Sequence, residues 1–358
     1  MADPDLRKLD EMVAQDPGCS RPVRLQNVLQ SFIIANEDAG RSPNFSSQVP
    51  DNVDSIVTLV SSAAIFENDD LAVRALKVLK ILSRKYDNRI KLGPLVAGPV
   101  VRLLGHQGAP SICGEAANVV LNICYERENV QKVVDAGGVP PLIALLGSES
   151  QELQANAAGA VQSICFQAEG RSHVRELGAI PKVLPLLSSS SLKVQTRAVG
   201  AIHNISSEPE AIRIIRRLEG IAPLITLLRV PSAAVCGSAA GALQNLSRES
   251  TARQEIREMG AVVPLADLLF GDDVQSQARA APATRLCMAH ACALRPHTLH
   301  STTTPNQPLL AAQPNPVGRC AQRVPSLTCS GLSSDPRTIQ ILSARASRSC
   351  SRSPSPSA

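Results

Sequence analysis

Leucine pairs return along this chain at a fixed interval. Leu145-Leu146 recurs as Leu186-Leu187, Leu227-Leu228 and Leu268-Leu269, at a constant step of 41, and Leu103-Leu104 precedes the first of these by one position more than that step. Other columns keep the same step: Ala75, Ala116, Ala157, Ala198 and Ala239; Ile123, Ile164, Ile205 and Leu246; Val133, Val174, Ile215 and Ile256. Small residues form a column of their own at Cys124, Cys165, Ser206 and Ser247, and glycine another at Gly159, Gly200 and Gly241. A period of this length marks one supersecondary unit stacked on copies of itself.

Inside one unit the pattern predicts three helices. Residues 128–136 form a short first helix, ended by Gly137-Gly138; Gly178 and Gly260 hold the same turn, and the third unit shifts it to Glu219-Gly220. Pro140-Pro141 suits the first turn of a second helix, where a missing N–H costs nothing, and that helix carries Leu142 to Leu146. A polar loop, Gly147 to Ser150, precedes a long third helix over about 151–166. Glycine inside that helix costs about 1 kcal/mol relative to alanine. Its retention at 159, 200 and 241 points to close approach of stacked helices or to an open binding face.

The ends differ from the middle. Residues 1–50 show one helical stretch, Leu25 to Ala35, followed by Gly40, Pro43 and Pro50; they read as an N-terminal helical cap with flexible flanks. Asp54 to Ser83 is a diverged first unit with its third helix at Leu71 to Leu82. Residues 51–281 then hold about five and a half units. Pro282 falls at the register of Gly159, Gly200 and Gly241, inside an expected third helix, and the period is lost after it. Residues 282–358 contain ten of the 26 prolines among Ser, Thr and Arg, a composition that buries too little apolar surface to fold alone. This stretch is expected to be a disordered tail, either physiological or the product of a splice or gene-model event.

Composition supports the helical reading. The chain has 358 residues, 44% hydrophobic, yet no Trp, two Tyr and five Phe, so its core is aliphatic and suits close helix stacking. The net charge of +5 belongs to the C-terminus: residues 280–358 carry eight Arg and one acid, leaving 28 basic and 30 acidic side chains over 1–279. The repeats are therefore not basic, and no nucleic-acid partner is expected. No apolar run reaches the length of roughly 18 residues that a membrane-spanning helix needs, so no membrane insertion is expected. The cysteines before residue 280 lack disulfide-framework spacing, and reduced thiols are expected.

Gly178-Ala179-Ile180-Pro181 and Ala239-Ala240-Gly241-Ala242-Leu243-Gln244-Asn245-Leu246, set in three-helix units, resemble the armadillo repeat over about residues 51–280. The resemblance, to β-catenin-like and importin-α-like solenoids, implies an all-α, right-handed α-solenoid whose third helices line a concave groove. HEAT repeats are the nearest rival, but they have two helices and lack the Gly-turn short helix.

The resemblance gives one column a role. Asn122, Ser163, Asn204 and Asn245 lie on the third helices at the register where such proteins grip the backbone of an extended peptide; an amide can both donate to and accept from a peptide group. One turn earlier stands Asn118, with the glycine column after it; about two turns earlier stands Arg197; one turn later stand Glu126, Glu208 and Glu249. The glutamates are either solvated helix ends or charge-selecting groove residues. Replacing Asn204 and Asn245 by Ala is expected to weaken partner binding and leave melting unchanged. Importin-α-type receptors place Trp one turn before the groove Asn; here Gly200 and Gly241 stand there.

No catalytic constellation emerges. A phosphate-cradling loop, a nucleophile elbow and a helical His-Glu-x-x-His motif are all lacking, and His106, His173 and His203 sit at unrelated registers. Cys287, His290, Cys292, His297 and His300 resemble metal ligands by type but match no zinc spacing. The expectation is a non-enzymatic, monomeric scaffold or adaptor without cofactor or metal, binding an extended or helical protein segment. Its expected location is the cytoplasm, with the nucleus as the alternative. The rival readings are a regulatory subunit of a ubiquitin ligase or small-GTPase pathway and, more remotely, a nuclear transport receptor.

Overall fold

The computed structural model describes residues 3–47, 51–106 and 109–288. In chain order the helices are α1 (Pro4–Gln15), α2 (Pro22–Asn36), α3 (Pro43–Ser46), α4 (Asp54–Ser61), α5 (Ala64–Glu67), α6 (Asp69–Leu82), α7 (Tyr86–Leu104), α8 (Pro110–Ile123), α9 (Arg127–Asp135) and α10 (Val139–Leu146). They continue as α11 (Gln151–Ile164), α12 (Ala168–Glu176), α13 (Ile180–Val183), α14 (Leu192–Ile205), α15 (Pro209–Arg217), α16 (Ile221–Leu227), α17 (Ala233–Leu246), α18 (Ser250–Glu258), α19 (Val262–Leu269) and α20 (Val274–Met288). Every regular element among the described residues is helical.

The third helices α6, α8, α11, α14, α17 and α20 pack each on the next, making the spine of an α-solenoid. Their alanine column fixes the spacing. Ala75, Ala116, Ala157, Ala198 and Ala239 are fully buried, and a larger side chain there would force adjacent helices apart. Ile123, Ile164, Ile205 and Leu246 are buried in parallel with them, as are Val133, Val174, Ile215 and Ile256 from the first helices.

The turn after each first helix needs one residue in the left-handed region. Gly137, Gly178 and Gly260 supply it with φ near +75°, and the N–H of the next residue returns to the helix, as in Gly138 N to Val133 O at 2.9 Å. In the unit of α15 to α17 the same position, one period after Gly178, is Glu219, with φ +57°. The turn has not moved to Gly220; Glu219 itself takes the strained conformation, and Gly220 N bonds Ile215 O at 2.9 Å. In the unit of α7 and α8, Val96 holds this register, the left-handed turn does not form, and first and second helices fuse into the 19-residue α7 despite Pro94 and Pro99. Pro185 acts differently: without an N–H it cannot continue α13, which tightens into a 3-10 turn over Leu184–Ser188.

Two expectations need correction. The N-terminal segment holds more than one helix: α1 starts at the Asp3 cap, whose Oδ1 accepts from Asp5 N at 2.9 Å, and buries Leu6, Leu9 and Val13 against α2 and α4. The period also does not stop at Pro282. Helix α20 runs through it to Met288, and Ala280 and Cys287 occupy the alanine and isoleucine columns, one period after Ala239 and Leu246. Ala280, Ala283 and Cys287 are fully buried, and this stripe against α17, α18 and α19 offsets the proline's cost. The last unit is therefore complete, and the boundary expected at 282 lies too early by the helical residues 282–288. The expected tail, from 289 on, lies outside the described residues.

Candidate functional site

The asparagine column is half-buried at Asn122 and Asn204 and buried at Asn245, and its first task is internal. A helix leaves its last four carbonyls without intrahelical partners. Asn122 Nδ2 donates across the repeat boundary to Lys80 O of α6 at 3.1 Å, Asn204 Nδ2 to Gln162 O of α11 at 2.9 Å, and Asn245 Nδ2 to His203 O of α14 at 3.1 Å. Each acceptor lies in the last turn of a preceding third helix, 42 residues back. The asparagines thus cap their neighbours and lock one unit onto the next. The expectation that replacing Asn204 and Asn245 leaves melting unchanged is corrected by these bonds.

The second Nδ2 hydrogen separates the members of the column. Asn122 gives it to Ser83 Oγ at 3.0 Å and Asn245 gives it to Ser206 Oγ at 3.1 Å. For Asn204 the residue at that register is Cys165, a poor acceptor, and Asn204 makes no second bond with a described residue. None of the three Oδ1 atoms accepts a hydrogen bond from a described residue. Asn122 and Asn245 can therefore only accept from a ligand, whereas Asn204 can accept and donate. Ser163, also buried, is the fourth member of the row.

The glycine column is covered by side chains rather than by backbone. A Cβ on Gly159 would stand 2.4 Å from Leu121 Cδ1, on Gly200 2.3 Å from Gln162 Nε2, and on Gly241 2.6 Å from His203 Nε2. Leu121, Gln162 and His203 are themselves one period apart, and each folds over the glycine of the following unit. Sequence reading missed this column, although the period was enough to find it. Burial, with Arg279 nearby adding to it, lowers the His203 imidazole to a pKa of about 4, so it is neutral near pH 7.

The glutamate column is already spoken for. Arg89 Nε bonds Glu126 Oε1 at 2.8 Å; Arg175 Nε bonds Glu208 Oε2 at 3.0 Å while Ser172 Oγ bonds its Oε1 at 2.9 Å; Arg216 Nε bonds Glu249 Oε2 at 3.2 Å. Glu126, Glu208 and Glu249 are N-cap residues of α9, α15 and α18, and each arginine comes from the first helix of the preceding unit. These carboxylates are neither freely solvated nor free to select a charged ligand. Asn118 faces Glu115 at 3.5 Å, and Glu115 is paired with Lys80 at 2.8 Å. Arg197 is half-buried and makes no hydrogen bond or ion pair with a described residue.

Among the described residues no group of three His, Cys, Asp or Glu side chains could hold a metal, and of the tail residues resembling ligands only Cys287 is described. It is a buried free thiol, raised to a pKa of about 11 by burial. Cys124 and Cys165 are likewise buried free thiols raised well above the ordinary range.

The profile of the Armadillo/beta-catenin-like repeat matches residues 126–166, 167–207 and 208–248, the units built from α9 to α17. Residues 126–248 match armadillo repeats. Its fold matches designed armadillo repeat proteins: one, 26% identical, covers 66% of this chain and 100% of its own length with a TM-score of 0.60. A second, solved in complex with the peptide (KR)4, is 27% identical over 67% of this chain and all of its own, with a TM-score of 0.58. An engineered protein at 26% identity covers 67% of this chain and 99% of its own, with a TM-score of 0.61. No curated protein matches the chain. The helical units flanking the three matched ones, α4 to α8 and α18 to α20, extend the same spine. No described helix is long and apolar enough to cross a membrane.

Proposed function

We propose that this armadillo solenoid is a non-catalytic scaffold or adaptor that holds an extended segment of a partner protein along its third helices. The observation that carries the reading is the row of amide oxygens on Asn122, Asn204 and Asn245, held by inter-repeat bonds yet without a protein donor of their own among the described residues. An extended peptide presents backbone N–H groups at regular intervals, and amides fixed in advance bind them without losing side-chain entropy on binding. Asn204, able to donate as well, is the central grip. Helices α1 to α3 cover the N-terminal end, where an uncapped unit would leave its apolar face in water. A monomer working in the cytoplasm or nucleus fits this reading.

The test is affinity capture with the full chain, wild type beside Cys165→Ser. A serine at 165 supplies the acceptor found at Ser83 and Ser206 and engages the spare hydrogen of Asn204. Partners recovered by the wild type and lost by this variant support groove binding; an unchanged set of partners moves the site elsewhere.

A further inference from the structure

Charge is distributed unevenly along the spine. In the N-terminal half both signs are present: Lys80 pairs with Glu115 at 2.8 Å, Arg74 with Asp70 at 2.9 Å and Arg89 with Glu126 at 2.8 Å, Lys77 of α6 makes no ion pair with a described residue, and Glu152 is the one charged residue of α11. From α14 onward every formal charge on the third helices is positive. Helix α14 contributes Lys193 and Arg197, α17 carries no charge, and α20 contributes Arg279 and Arg285. The nearby acids are engaged: Glu208 by Arg171, Arg175 and Ser172, and Glu249 by Arg216. Asp273, just before α20, accepts from Ser276 N at 2.7 Å and lies beyond ion-pair distance of Arg279.

Arg197 and Arg279 stand at the same register, two units apart. Both are half-buried, and neither makes an ion pair or hydrogen bond with a described residue. Their side chains are seated: Arg197 Cδ lies 3.3 Å from where a Cβ on Gly159 would be, and an Arg279 terminal nitrogen 3.6 Å from the corresponding point at Gly237. A guanidinium positioned on small residues and left unmatched suits a planar anion. Asn204 lies on α14 two turns after Arg197, and Asn245 on α17, the third helix between α14 and α20.

Resting on the groove reading above, we propose that the α14–α20 stretch takes an acidic extended segment, with one carboxylate on Arg197 and a second on Arg279. Third helices packed about 8–10 Å apart set the two arginines about 16–20 Å from each other. An extended chain covers that span in about five or six residues. The (KR)4 peptide of the designed relative has the opposite charge, and this face would repel it.

The experiment is selection of a random dodecapeptide display library on the full chain, followed by affinities of the enriched peptides. Enrichment of sequences with two acids about five or six residues apart is expected. Their affinity should fall about tenfold for each of Arg197→Gln and Arg279→Gln, while Arg197→Lys, which keeps the charge, loses less. Circular dichroism of each variant checks that it folds. Enrichment of basic or uncharged peptides that still lose affinity with Cys165→Ser would overturn the acidic assignment and leave the groove standing. Acidic peptides that ignore Arg197→Gln and Arg279→Gln would belong to the arginine-bearing residues 289–358 and would also overturn it. Peptides insensitive to all four variants would remove the groove reading itself.

Discussion

Asn245 Nδ2 lies 3.1 Å from Ser206 Oγ, and one unit earlier the same two positions are Asn204 and Cys165, which share no such bond. The asparagine column is thus both structural and available. It commits its N–H groups to the preceding helix and keeps its oxygens, with one further N–H at Asn204, for something outside the chain.

Removing these amides costs stability according to which partners are left unpaired. Asn245→Ala loses both bonds, but Ser206 Oγ donates to His203 O at 2.8 Å, so neither group is stranded and the expected cost is about 1 kcal/mol. Asn204→Ala leaves Gln162 O without a donor among the described residues and costs more, about 1–3 kcal/mol. Urea unfolding of the two variants beside wild type checks the order, which is lost if the column serves the groove alone.

Glu219 holds a left-handed backbone that its three counterparts give to glycine, with φ +57° against values near +75°. Glu219→Gly is expected to raise stability by about 1 kcal/mol, since a side chain in that region costs about 1–2 kcal/mol and glycine's extra unfolded-state entropy returns part of it. A shift of the urea midpoint upward, with unchanged slope, is the expected result.

The proline in α20 interrupts a bond that the helix otherwise makes to Ala278 O. Pro282→Ala should stabilise the last unit, by up to about 3 kcal/mol if the site keeps ideal helical geometry. Amide hydrogen exchange over 274–288 reads this locally, where a global melt would dilute it.

His203 carries a pH signature. Its native pKa, about 4, lies below the ordinary 6.5, so between these values the unfolded chain takes up a proton that the folded one refuses. The stability this group contributes is complete above about 6.5 and is lost as the pH falls toward 4. Glutamine occupies the same register at Gln162 and Gln244, so His203→Gln should fold, and the melting temperature should fall less steeply with acid than in wild type. Parallel curves would place the imidazole in solvent.

Much of the fold was legible because columns at a constant period survive any local ambiguity: Ala157 and Ala198 mark a third helix whatever precedes them. The misses have local causes. Helix α1 buries only Leu6, Leu9 and Val13 among acids and lysine, too sparse a stripe to stand out before α2 is seen beside it. Taken alone, Pro282 reads as a helix end, whereas Ala280 and Cys287 already fall on the columns that hold α20. At the site, the asparagine row could be read from spacing, but its bonds join residues 42 apart across a repeat boundary, where no single helix pattern reaches. The same holds for Glu126, Glu208 and Glu249, whose arginine partners sit 33 to 37 residues earlier.

The most direct test of the account is the affinity of one selected peptide for wild type and Cys165→Ser, with melting temperatures taken on the same samples. The account predicts an unchanged or slightly higher melting temperature, since the introduced hydroxyl would complete a bond like that of Asn245 to Ser206. A clear loss of affinity should accompany it as Asn204 turns its second N–H inward. Equal affinity at equal stability would contradict the account, leaving the asparagine row as an inter-repeat brace and nothing more.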